Sequence, residues 1–88
     1  MKPRIQSVLA VGPYTLRLGF SDGSVGTVNL RDQIEGKGGV FAILEHPEFF
    51  AKVAVDSEAG TIVWPNGVDL DPDVLHSITH FETKRASA

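Results

Sequence analysis

Asp69, Asp71 and Asp73 stand at alternate positions, the carboxylate spacing with which a calcium loop begins. An EF-hand loop also needs glycine at its sixth position and an acid at its twelfth. Counted from Asp69, those positions hold Val74 and His80, and Pro72 interrupts the loop. The same residues suit a helix start: Asp71 as N-cap, Pro72 at the first helical position, and Asp73 where the helix dipole favours an acid. Further on, Asp73, His76 and His80 fall at i, i+3 and i+7 of that helix, and two histidines four apart can hold one metal ion. Ser77 follows His76, so the His-Glu-x-x-His pattern of a zinc protease is absent. A solvated face, with His80 near the helix C-terminus, is the simpler alternative to a metal site.

Other chemistry-bearing residues lack the neighbours their chemistry requires. Lys37 lies in Glu35-Gly36-Lys37-Gly38-Gly39, but a phosphate-cradling loop needs Ser or Thr after the lysine and a helix start beyond it. The segment reads as a linker whose glycines are costly to order. No serine occupies a Gly-x-Ser-x-Gly elbow. Trp64, Asn66 and Asp69 make a sharper set, because an indole beside a polar turn can anchor a partner. Equally, Trp64 can plug the core while Asn66 and Asp69 bond their own turn. Phe49 and Phe50 pose the same choice, since adjacent helical residues point about 100° apart. The candidate interaction surface is therefore Trp64, Asn66, Asp69, Phe49 and Phe50, with no catalytic, metal or cofactor-binding residue assigned.

The elements that position these residues follow from periodicity. Ile5 to Val11 is apolar and β-rich, and Gly12-Pro13 breaks it. Tyr14, Leu16, Leu18 and Phe20 alternate with other residues, which predicts a half-buried strand. A three-residue loop, Ser21 to Gly23, sets Leu18 opposite Gly26, Leu16 opposite Val28 and Tyr14 opposite Leu30. That register keeps apolar side chains on one face, and Gly23 can take the left-handed conformation of a bulged loop. Arg31 to Glu35 predicts a helical turn with Leu30 and Ile34 inward. Val40, Phe41 and Leu44 predict another, and Pro47 opens a brief middle helix. Strands Lys52–Asp56 and Thr61–Trp64 form a second hairpin, with Val55 opposite Ile62 and Val53 opposite Trp64. Pro65 ends it, and Asn66-Gly67 turns the chain. Val74, Leu75, Ile78 and Phe81 are expected on one face of the last helix. The expectation is an α+β domain over residues 1–82: a small antiparallel sheet of two hairpins plus an N-terminal strand, a short middle helix and a C-terminal helix. Residues 83–88 read as a flexible tail.

Composition narrows the functional classes. A chain of 88 residues with 42% hydrophobic and 22% charged residues is an ordinary single globular domain with a thin core. Eight basic residues against eleven acidic ones, net charge −3, are scattered rather than clustered, which argues against stand-alone nucleic-acid binding. The absence of cysteine removes disulfides and thiolate zinc sites. The apolar runs fall short of the roughly 20 residues of a membrane span, and the N-terminus does not resemble a secretory signal, so a cytoplasmic protein is expected.

Tyr14 to Phe20, Asp22-Gly23 and Val28-Asn29-Leu30 resemble the first half of the family called domain of unknown function 2442. Val40-Phe41-Ala42-Ile43-Leu44 and His46-Pro47-Glu48-Phe49-Phe50 are similar to its middle, and Thr61 through Pro72 to its most specific stretch. His46 and Asn29 stand where relatives commonly carry Asp, so neither is assigned as an acidic ligand. The resemblance implies a small α+β domain of no established activity, sometimes joined to a helix-turn-helix domain or encoded beside a toxin-like partner. The resulting expectation is a non-enzymatic protein-interaction domain without cofactor, antitoxin-like or regulatory. It would dock a basic toxin-like protein or a second copy of itself through a sheet edge or an apolar patch. Two alternatives stand beside it. One is a small-ligand or metal-binding protein using Asp73, His76 and His80 or a pocket near Trp64. The other is a DNA-regulatory accessory that needs a helix-turn-helix partner.

Overall fold

Alternation in the first half of the chain produces the main sheet. In the computed structural model, which describes residues 3–82, strand β1 (Ile5–Gly12) pairs with β2 (Thr15–Phe20), which pairs with β3 (Val25–Asn29). Leu16 sits opposite Val28 and Leu18 opposite Gly26, the register that keeps apolar residues together. The loop between them is the three-residue one. Gly23 N–H donates to the Phe20 carbonyl, Phe20 N–H donates to the Ser24 carbonyl, and Gly23 has φ 89°. Leu16, Leu18, Phe20 and Val28 are all buried, each contributing on the order of 1.5–3 kcal/mol relative to exposure. Tyr14 is not a strand residue: it takes φ 58° in the β1–β2 turn, where its carbonyl accepts from Leu30 N–H. The Arg31 guanidinium lies 5.0 Å over its ring.

After β3 come α1 (Arg31–Ile34), a 3₁₀ helix (Gly39–Glu45) and α2 (Pro47–Phe50). Pro47 opens α2 as expected, and Ile34, Leu44 and Phe50 enter the core. The second hairpin, β4 (Ala54–Asp56) and β5 (Thr61–Val63), pairs Val55 with Ile62. It forms a separate two-stranded sheet rather than extending the first. The expected Val53–Trp64 pairing is not made as a ladder: Trp64 N–H instead takes the Val68 carbonyl across the Pro65–Gly67 turn. The hairpins are joined through Arg4 and Ile5. Ile5 N–H donates to the Gly60 carbonyl, and the Arg4 guanidinium donates to the carbonyls of Ser57 and Glu58, each at 2.8 Å.

The last helix, α3 (Pro72–Ile78), starts where its cap signals place it: the Asp71 carboxylate accepts from Asp73 N–H at 2.8 Å. It is shorter than its apolar spacing implies. Thr79 is extended (ψ 137°), with its hydroxyl donating to the Leu75 carbonyl, and His80–Phe81 becomes strand β6. Strand β6 completes the main sheet in the order β1-β2-β3-β6. Leu75 alone of the helix is fully buried, Val74 faces outward, and Phe81 lies on β6, so the expected four-residue helical face is not formed. Gly26 permits this ending. A Cβ there would lie 2.5 Å from Thr79 Cγ2 and 2.7 Å from the His80 carbonyl oxygen. The α+β class is as expected. The tail assigned to 83–88 lies outside the described residues.

Candidate functional site

Two members of the expected interaction surface belong to the core. Trp64 is 1% exposed and Phe50 2%, with ring centroids 5.6 Å apart. The indole N–H donates to the Phe50 carbonyl at 2.9 Å, so even its polar atom is used internally. The cause is local: Trp64 continues the inward face of β5 set by Ile62, and α2 turns Phe50 toward it. Neither residue supplies a docking surface.

Asn66, Asp69 and Phe49 remain, and the 3₁₀ helix lies between them. With three residues per turn, side chains at i and i+3 eclipse. Phe41 and Leu44 therefore share the inward face, with Leu44 buried and Phe41 half-buried. Val40 and Ile43 share another face and are 59% and 43% exposed. The helical turn expected from Val40, Phe41 and Leu44 forms, but its 3₁₀ winding separates Val40 from the other two. The backbone bonds from Phe41 N–H to the Gly38 carbonyl and from His46 N–H to the Ile43 carbonyl fix the tighter winding.

Each end of this apolar stripe meets a shallow open depression. One, of about 250 Å³, is lined by Val40, Phe41 and residues 66–69. Asn66 shapes it, because its amide donates to the Val40 carbonyl at 3.0 Å while its side-chain oxygen accepts from Val68 N–H at 3.3 Å. Asp69 stands exposed on its rim, bridged through the backbone to Val63. The other, of about 370 Å³, is lined by Ile43, His46, Glu48, Phe49 and Lys52. Asn66 and Asp69 thus lie at one end of the stripe and Phe49 at the other. Val40 and Ile43, which join the two ends, were missed. The i, i+3 spacing after the glycine linker was their available signal. Apolar contact with a charged rim is what such a surface offers a protein partner.

The histidine face is not assembled as a helical metal site. Because α3 ends at Ile78, His80 is on β6 and its i+7 relation to Asp73 is lost. The His76 ring packs edge-on to Phe20 and against Phe81, both at 4.9 Å. No cluster of three His, Asp or Glu side chains placed to hold a metal ion occurs among the described residues. Nearby, the Asp22 carboxyl is held below its usual range, first by the Ser24 hydroxyl, then by Ser24 N–H, with the His76 charge adding to it. No helix among the described residues is long and apolar enough to cross a membrane.

With this geometry established, the comparisons place the chain in a family. Residues 5–79 match the family described as "protein of unknown function (DUF2442)", and the chain belongs to that family. Neither curated proteins nor solved structures provide a match.

Proposed function

We propose that the chain is a non-enzymatic protein-interaction domain acting in the cytoplasm, docking a small basic partner of antitoxin-target type on the Val40–Ile43 stripe. The observation that carries this reading is the exposure of two eclipsed aliphatic side chains between two open depressions. At 59% and 43% exposure, leaving them in water forgoes about half of the full-burial gain, on the order of 1 kcal/mol each. Asp69 at one end and the net charge of −3 favour a cationic partner, while at the other end Glu48 stands beside Lys52. Asn66 contributes by fixing the turn to the 3₁₀ helix before a partner arrives, which lowers the ordering cost of docking.

The test is affinity capture from the native cell with the wild type and with Val40→Asp and Ile43→Asp variants. A defined basic protein should be retained by the wild type and weakened by about 30-fold or more in either variant, the effect of losing an interface hot spot. Equal retention by all three proteins would sink the proposal.

A further inference from the structure

The outer edge of β1 presents a second surface, of different chemistry. Phe20 N–H bonds the Ser24 carbonyl and the Tyr14 carbonyl accepts from Leu30 N–H, so the even-numbered residues of this segment direct their backbone groups toward β3. Antiparallel ladders alternate, so the odd-numbered residues Arg17 and Gly19 direct theirs toward β1. Their partners there are Leu9 and Ser7. Val8 and Ala10 consequently aim N–H and C=O away from the sheet, and neither makes a backbone bond to another element among the described residues. At Ile5 the edge is closed by the bond to Gly60, and the β4–β5 hairpin packs against β1, with Val55 and Ser57 beside Ile5 and Gln6; from Val8 to Ala10 no backbone bond from another element reaches the edge among the described residues.

Natural edge strands are guarded by charges, by proline, by bulges or by a covering element. No charged residue occurs between Arg4 and Arg17, and β1 contains no proline. Leu9 and Val11 are 61% and 51% exposed. The irregularities at Gln6 and Val11 leave Ser7 to Ala10 as a regular stretch between them.

We propose that a second copy of this chain pairs here, β1 antiparallel to β1 about a two-fold axis, so that the two four-stranded sheets become continuous. Directly opposed residues of a sheet point to the same face, which restricts the register. With Leu9 on the axis, Val8 faces Ala10 of the second copy, and their outward N–H and C=O groups exchange hydrogen bonds. Leu9 then meets its own counterpart at the close, non-hydrogen-bonded position, and Ser7 faces Val11. A copy fits this edge better than a basic partner does. The strand carries no charge to attract a cation, and Arg17, whose residue pairs with Leu9, is neutralised by Glu82. Identical strands therefore approach without like charges at the contact, although the whole chain is acidic. One strand pair buries less than the roughly 800 Å² per partner of a standard interface, so the dimer is a weak one.

Sedimentation velocity on the full chain, from about 1 µM to 1 mM, tests this across the affinity range of a small interface. The wild type should pass from monomer to dimer over that range. Leu9→Lys sets two ammonium groups across the axis and should raise the dissociation constant at least tenfold. Ala10→Pro removes an outward N–H without taking a bond from the β1–β2 ladder, and should act likewise. Unchanged thermal midpoints show that both variants fold. Val40→Asp should leave dimerisation intact, which separates this surface from the partner stripe. A monomeric wild type at 1 mM overturns the inference, as does a dimer indifferent to both β1 substitutions or one lost through Val40→Asp.

Discussion

Replacing Trp64 by Phe separates a core indole from a surface anchor most sharply. The substitution removes the N–H that reaches the Phe50 carbonyl at 2.9 Å. That carbonyl keeps a second, longer bond from Val53 N–H at 3.3 Å, so it is not fully orphaned. The hydrogen-bond loss is therefore at the low end of its range, about 1 kcal/mol. Phenyl in place of indole also leaves a void beside Phe50, in a core where Trp64 is 1% exposed; this adds roughly 1.5 kcal/mol. The sum, about 2.5 kcal/mol, is a large fraction of the roughly 4–13 kcal/mol available to a domain of this size. It corresponds to a thermal midpoint lower by about 10–20 °C. Urea unfolding followed by circular dichroism measures it directly, since the slope should stay constant while the midpoint falls. A loss below about 0.5 kcal/mol, typical of exposed sites, would refute the placement of Trp64 as a core element.

Two further outcomes follow from close contacts. Gly26→Ala drives a Cβ against the His80 carbonyl and Phe81 Cα, so β6 should detach, with a stability loss of about 1–3 kcal/mol. Amide exchange reads this through the bond from Glu82 N–H to the Val25 carbonyl; retained protection at Glu82 would contradict the role given to Gly26. Ser24→Ala should let the Asp22 pKa rise toward the ordinary carboxylate value, because the hydroxyl is the largest cause of its depression. A carboxyl depressed in the folded state contributes stability above its unfolded pKa and loses it as pH falls through the folded one, so the variant should show a smaller acid-side slope. Carbon-detected titration of Asp22 checks this, and an unchanged midpoint would contradict it.

Local rules read much of this fold because the decisive information was local. The Leu16–Val28 register follows from apolar alternation and from Gly23, and the α3 start from Asp71 and Pro72. The C-terminal half of that helix departs from expectation because Ile78 and Phe81 continue a helical spacing although Phe81 lies on β6. A hydroxyl bond from Thr79 and the space above Gly26 instead carry the chain into β6. Those are tertiary facts with no periodic signature. The surface was legible in part. Asn66 and Asp69 at one end and Phe49 at the other emerge from the turn and from α2, whereas Val40, expected to pack with Phe41 and Leu44 in one helical turn, is exposed because three residues per turn eclipse it with Ile43. Trp64 and Phe50 are apolar enough for either place, and only the packing of α2 on β5 decides between them.

The central proposal concerns where a partner docks, so the most direct measurement is an amide chemical-shift map of the chain titrated with its captured basic partner. The expected result is saturable shifts concentrated at residues 40–49 and 66–69, abolished by Ile43→Asp. Shifts concentrated instead around Asp73 and His76, or none beyond the noise at saturating partner, would contradict it.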